Sequence, residues 1–218
     1  MLIHSDFPYP LYLVITEENC TYLPWLQVAE QAIKGGVDII QLREKKISKQ
    51  IFLKKAIALK NLCDRYSIPL IINDHVDIAA KIDAWGVHVG QTDMAPLHIK
   101  EQYADRFKIG WSLEANDQLL SDNMLAVDHL GVSPIFSTAT KTDTITEWGI
   151  QGIKKLRKET ELPLIAIGNM NITNVQRVIN AGASSIAVVS AICSNPDPQS
   201  VSQKIKELLI NNVYKDEP

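Results

Sequence analysis

Cysteine is scarce in this chain: Cys20, Cys63 and Cys193 are the only three among 218 residues, widely spaced and without a C-x-x-C pair. An odd, scattered set supports neither a disulfide framework nor a zinc site, so all three are expected to be reduced, mostly structural thiols. Runs of a single charge are also missing. The 22 Lys and Arg are interspersed with 25 Asp and Glu, giving a formal charge of -3, which offers no footing for nucleic acid or an anionic membrane. No apolar stretch approaches membrane-spanning length, and Met1 to Pro10 has no basic leader, with His4, Asp6, Pro8 and Pro10 breaking any apolar run. A soluble, cytoplasmic protein is the expectation. The G-x-x-x-x-G-K phosphate loop is absent too, as are linkers, low-complexity tracts and any second-domain boundary.

What is present is one domain's worth of apolar residues, 46% of the chain, arranged in a repeating order. Short apolar runs lie at Leu11 to Thr16, Val37 to Leu42, Pro69 to Asn73, Trp85 to Val89, Phe107 to Trp111, Met124 to Val132, Pro163 to Ile167 and Ser185 to Val189. Helical spacing falls between and after them, at Pro24 to Lys34, Ser48 to Tyr66, Val76 to Ile82, Ala95 to Ala104, Glu114 to Asp122, Gly149 to Lys158, Thr173 to Asn180 and Pro198 to Ile210. Near-continuous apolar strands alternating with helices are the pattern of a parallel sheet covered by helices. Gly35-Gly36 and Gly182 are placed to end helices, and Ser48 and Thr173 to cap them. Eight such units predict a single (β/α)8 TIM barrel over residues 1–218, with its core at about 11–192 and a C-terminal helix at about 198–210. A doubly wound open sheet is the alternative. The composition leaves homo-oligomer formation open.

Barrel strands aim their carboxyl ends at one mouth, so polar residues there are candidates as a class. In the run Gln41 to Lys45, period-two alternation sends Gln41, Arg43 and Lys45 to one side, and a guanidinium beside an ammonium suits a polyanion. Asn73 and Asp74 end the third strand and Asp93 follows the fourth. Two carboxylates from adjacent strands, with no Cys or His cage, suit Mg²⁺ completed by water and phosphate oxygens, although either Asp alone more often caps a helix. His75 and His88 are weaker candidates, and Ser112 adds a hydroxyl at the rim of the fifth strand. The long stretch Ser133 to Trp148 carries Thr138, Thr140 and Lys141, a compact anion clamp on a loop long enough to act as a lid. Gly168, Val189 and Ser190 end the seventh and eighth strands, where barrels often hold a phosphate. Two anion sites imply two phosphorylated small-molecule substrates.

The segments QLREK at Gln41 to Lys45, N-D-x-V-D-I-A at Asn73 to Ala79, V-H-V-G-Q-x-D at Val87 to Asp93 and T-x-T-K-x-D at Thr138 to Asp143 resemble the thiamine-phosphate synthase family in order and spacing. The resemblance runs from Leu11 to Ile192. It implies a TIM barrel that joins a hydroxymethylpyrimidine diphosphate to a thiazole phosphate, releasing pyrophosphate by a dissociative route. Carried over by position, Gln41, Arg43, Lys45, Asn73, Ser112 and Lys141 contact the pyrimidine diphosphate, with Arg43, Lys45, Ser112 and Lys141 serving catalysis. The same resemblance implies that Asp74 and Asp93 would bind Mg²⁺ and that Thr138, Thr140, Gly168, Val189 and Ser190 would hold the thiazole phosphate. Three positions depart from the family pattern: His75 replaces Arg, Asn169 replaces a second Gly, and Ser133 replaces a Gly before proline. The rivals are a thiazole tautomerase on the same barrel, whose histidine position is Glu114 here, a sugar-phosphate isomerase or epimerase, and a non-enzymatic regulatory barrel.

Overall fold

The computed structural model describes residues 4–137 and 147–210. The apolar runs form eight strands: β1 (Leu11–Ile15), β2 (Ile39–Leu42), β3 (Leu70–Asn73), β4 (Gly86–Val89), β5 (Lys108–Leu113), β6 (His129–Val132), β7 (Leu164–Ile167) and β8 (Ser185–Val188). They pair in chain order, all parallel, until β8 closes on β1 with Leu11 opposite Ile186 and Leu13 opposite Val188. Closure removes both sheet edges and rules out the open doubly wound sheet. Around the barrel lie α1 (Trp25–Lys34), α2 (Lys49–Arg65), α3 (Val76–Ile82), α4 (Pro96–Tyr103), α5 (Gly149–Glu159), α6 (Val175–Asn180), α7 (Ser190–Cys193) and α8 (Pro198–Ile210). Ser48 caps α2, its hydroxyl accepting from the Ile51 N–H at 3.4 Å.

Three expectations are corrected, the first being the sixth strand: the run Met124 to Val132 forms a strand only from His129, because Met124 to Ala126 belong to a 3-10 turn. The helix expected at Glu114 to Asp122 is replaced by two 3-10 turns, Asn116–Leu120 and Asp122–Ala126. Side chains divert the backbone there: Gln118 Oε1 accepts from the N–H groups of Glu114 and Ala115 at 2.7 and 3.1 Å, and Ser121 Oγ accepts from Asn123 N–H. Such bonds offer the chain an alternative to the helical ladder. Thr173 does not cap α6. The helix begins two residues later, and the Thr173 hydroxyl instead donates to Asn171 Oδ1 at 2.6 Å.

Strand alternation divides the apolar residues into two cores. Leu11, Leu13 and Ile15 of β1 face the helices, whereas Tyr12 and Val14 point into the barrel with Ile39, Ile71, Ile165 and Ala187. Phe7 closes the barrel floor, its ring 4.8 Å from His129 and edge-on to Tyr9 at 5.2 Å. Burying that ring contributes roughly 1.5–3 kcal/mol, which ties the segment before β1 to the barrel.

The interior of β4 to β6 is polar. A Cβ on Gly110 would lie 2.3 Å from His129 Nε2 and 2.6 Å from His88 Nδ1, and one on Gly131 would lie 2.7 Å from His88 Cε1. These glycines make room for two imidazoles. His129 is fully buried, and among the described residues neither of its ring nitrogens has a hydrogen-bond partner. Burial, aided by nearby His88 and Lys108, drives its pKa well below the ordinary imidazole range. The folded state therefore binds fewer protons than the unfolded state once the pH falls below about 6.5, so this residue's contribution is complete above that pH and is lost as acid is added. Thermal melts are expected to show a loss of stability from this residue as the pH falls from 7.5 to 5. A His129→Gln variant should lack that portion of the slope, and an unchanged slope would refute the assignment.

Candidate active site

The β2 end is aimed by the residue between its two cations. Glu44 turns outward, where its carboxylate accepts from Thr16 Oγ1 at 3.2 Å, the Glu17 N–H at 3.0 Å and Lys55 Nζ at 2.5 Å. The Lys55 ammonium also meets Glu17 and lies 5.4 Å from the centre of the Trp25 ring. With Glu44 held on the helix side, the pleat leaves Arg43 and Lys45 facing the mouth.

There, Gln41, Arg43, Lys45, Asn73, Asp74, Asp93 and Ser112 line one cavity of about 310 Å³, so seven of the expected residues come together. Asp74 leaves β3 in the left-handed region at φ 62°, with its N–H bonded to the His88 carbonyl at 2.9 Å. This uncommon backbone turns its carboxylate toward β4 and Asp93. Asp93 Oδ2 accepts from the Gly90 N–H at 2.8 Å, which fixes the loop that carries it. Burial pushes the Asp74 carboxyl above the ordinary carboxylate range, Lys45 pulls it back, and Asp93 raises it further. Lys45 Nζ lies 2.6 Å from Asp74 Oδ2.

This chemistry fits a hard divalent cation. Two carboxylates repel across the mouth, and an ammonium already sits on one of them. Among the described residues no group of three or more His, Cys, Asp or Glu could hold a metal. Two protein oxygens would leave the remaining positions to water and phosphate, as Mg²⁺ prefers.

His88 bonds Ser112 Oγ through Nε2 at 3.0 Å, and Gln91 Nε2 donates to the Ser112 carbonyl at 2.5 Å. His88 is thus a hydrogen-bonded interior group beside the mouth. His75 lines neither this cavity nor its neighbour; it packs edge-on against Phe52 of α2, with ring centres 4.4 Å apart. Its departure from Arg therefore falls outside both cavity walls.

A second cavity of about 70 Å³ adjoins the first and is lined by Thr16, Arg43, Ser133, Gly168, Asn169, Val189 and Ser190, among others. Gly168 has φ 116°, and a Cβ there would lie 2.8 Å from the Ile135 nitrogen and from Pro134. Asn169 adopts φ 53°, so the residue in the second glycine position keeps the left-handed backbone that Asn tolerates. Ser133 precedes a cis proline and borders both cavities. Thr138, Thr140 and Lys141 lie outside the described residues.

Sequence reading missed Tyr12 and His129 on the cavity floor and Gln91 and Thr92 on its wall. Tyr12 sits at an inward position of an apolar run, where only its hydroxyl marks it out. Glu114 also faces this cavity.

The sequence model of the family described as thiamine monophosphate synthase matches residues 11–192. A thiamine-phosphate synthase of Albidiferax ferrireducens is 42% identical over 200 residues, covering 91% of each chain. Another, from Vibrio campbellii, is 39% identical and covers 92% of this chain and 98% of its own. The solved thiamine phosphate pyrophosphorylase of Pyrococcus furiosus superposes with a TM-score of 0.83 at 27% identity, covering 94% of this chain and 97% of its own.

Proposed function

This chain belongs to the thiamine monophosphate synthase family, and from that premise we propose how its two cavities divide the reaction. The protein is a thiamine-phosphate synthase, a transferase acting on small molecules. In our reading the larger cavity takes 4-amino-5-hydroxymethyl-2-methylpyrimidine diphosphate and the smaller takes the phosphate of a thiazole. The observation that carries this reading is the convergence of Arg43, Lys45, Asp74 and Asp93 on one mouth, continuous with a second cavity through Arg43.

Asp74 and Asp93 would hold Mg²⁺, which when bound supplies positive charge to the diphosphate oxygens. Arg43 clamps those oxygens with a planar fork of donors, and Lys45 adds a point charge once it turns from Asp74. Asn73 and Ser112 present further polar groups to the same substrate. As the carbon–oxygen bond breaks, its electron pair leaves with the pyrophosphate, and these fixed cations meet the growing charge. The thiazole nitrogen then gives its lone pair to the pyrimidine methylene carbon, forming the new carbon–nitrogen bond. No protein base is required. Gly168, Val189 and Ser190 present backbone and a hydroxyl to the thiazole phosphate, which Thr138 and Thr140 would also hold in this proposal, while Lys141 would join Arg43 and Lys45 on the diphosphate.

A thiazole tautomerase would use an imidazole where this chain has Glu114, and a sugar-phosphate isomerase leaves the carboxylate pair without a task. The test is product analysis with both substrates: thiamine phosphate and pyrophosphate are expected in equal amounts, abolished by EDTA and restored by Mg²⁺. Isomerised thiazole without thiamine phosphate would overturn the synthase reading, and full activity in EDTA would overturn the metal.

A further inference from the structure

Two of the cysteines that lie far apart in the sequence meet in the fold. Cys20 follows the 3-10 turn Glu17–Asn19 after β1, and Cys193 ends α7 after β8. Because β8 closes on β1, the segments that leave these strands run side by side, and Ser194 Oγ donates to the Asn19 carbonyl at 2.9 Å. Cys20 Sγ lies 3.4 Å from the Thr16 carbonyl, and Cys193 Sγ lies 3.9 Å from the Val14 carbonyl. Both sulfurs therefore sit against the end of β1, where the Cys193 thiol donates to the Cys20 sulfur.

The two thiols are unequal. Cys20 is partly exposed and Cys193 is buried. The hydrogen bond from Cys193 holds the Cys20 thiol below its ordinary range, against burial and the carboxylates of Glu44 and Glu17 and with help from Lys55. The same contact, together with burial, holds Cys193 well above that range. The thiolate is the reactive form, so Cys20 is the sulfur that attacks and Cys193 the one that resolves. Cys63 stands apart on α2, where burial pushes its thiol up to about 12.

We propose that Cys20 and Cys193 form a peroxide-sensitive thiol pair that closes reversibly into a disulfide and weakens the grip of the smaller cavity on its phosphate. The effect on the cavity rests on the substrate reading given above; formation of the bond does not. The Cys20 sulfur attacks one oxygen of hydrogen peroxide, the O–O bond breaks, and a sulfenic acid and one water result. The Cys193 sulfur then attacks the Cys20 sulfur, and the sulfenic hydroxyl leaves with the Cys193 proton as a second water. The two sulfurs give up two electrons, and the peroxide takes both. A dithiol reverses the change by exchange. Thr16, ahead of Cys20, and Val189 and Ser190, at the start of the turn that carries Cys193, line the smaller cavity, and the Cys193 N–H donates to the Val189 carbonyl at 2.8 Å. A disulfide brings its sulfurs closer than a hydrogen bond does, so closing it draws these two walls together.

The test treats the full chain with hydrogen peroxide, removes the excess with catalase and maps the peptides without reductant. A linked peptide joining Cys20 to Cys193 is expected, with Cys63 still open to alkylation after unfolding. The kcat/KM for the thiazole phosphate should fall about tenfold or more, as ångström-scale displacement of binding groups does, while the KM for the pyrimidine diphosphate stays within about twofold. Dithiothreitol should restore the rate, and Cys20→Ser should keep its rate through the peroxide treatment. Cysteines left unlinked, links only between separate chains, a linked protein with unchanged kinetics, or an equal loss in Cys20→Ser would each overturn the proposal. A chain that makes no thiamine phosphate would refute the synthase reading, and the peptide map, with calorimetric titration of the thiazole phosphate into the linked and reduced forms, would still decide the role of the thiol pair.

Discussion

Asp93→Asn is expected to lower turnover by roughly two or more orders of magnitude, the scale of lost transition-state electrostatics, with little change in melting temperature. Asparagine retains an oxygen that can accept from the Gly90 N–H, the bond that Asp93 Oδ2 makes at 2.8 Å. The loop therefore keeps its shape while the charge is removed. Asp74→Asn isolates the charge in the same way, because Asn adopts the left-handed backbone that Asp74 holds at φ 62° more readily than Ala. It does break the Lys45 pair, but the lysine side chain is 49% exposed, and partly solvated pairs contribute only about 0.2–1 kcal/mol. Both variants should need more Mg²⁺ for half-maximal rate. Near-normal turnover in the two variants, measured with saturating substrates and matched melts, would remove the carboxylates from the mechanism. A fall in turnover accompanied by an equally large fall in melting temperature would point to folding instead.

The parts of this site that could be read in the sequence are those where a residue's chemistry conflicts with its setting. Arg43, Lys45, Asp74 and Asp93 stand out because charge at the end of an apolar strand is costly unless something uses it, and all four line the larger cavity. Tyr12 carries no such conflict, since an aromatic inside LYLVI is ordinary strand material; only the pairing of Val14 with Gln41 across β1 and β2 sets its hydroxyl beside an amide. His129 is hidden in another way. Its burial depends on Gly110, nineteen positions earlier, leaving space across the barrel, a relation that periodicity cannot express. The fold shows the same division. Strands buried on both faces were legible because their apolar runs are continuous. The segment after β5 was not, because Leu120 in the expected helix and Leu125 near the start of the expected sixth strand are 88% and 84% exposed. Gln118 and Ser121 bond local backbone there, and burial does not oppose them.

Arg43 is the one charged residue that borders both cavities among the described residues, and that position predicts a loss of a different shape. Removing a group that serves one substrate should disturb one KM. Arg43→Ala should raise the KM for the pyrimidine diphosphate and for the thiazole phosphate together, and also lower kcat, for an expected drop in kcat/KM of about 10³-fold. The backbone should tolerate the change, since the Arg43 N–H still donates to the Ile15 carbonyl at 3.0 Å and Glu44 still anchors the strand end. Arg43→Lys separates charge from shape. An ammonium restores the point charge but not the planar fork that reaches oxygens on two sides, so recovery should stay within about tenfold of the Ala variant. Full recovery by lysine would mean that only charge matters at this position. A change confined to one substrate would mean that the two cavities meet at Arg43 without sharing it.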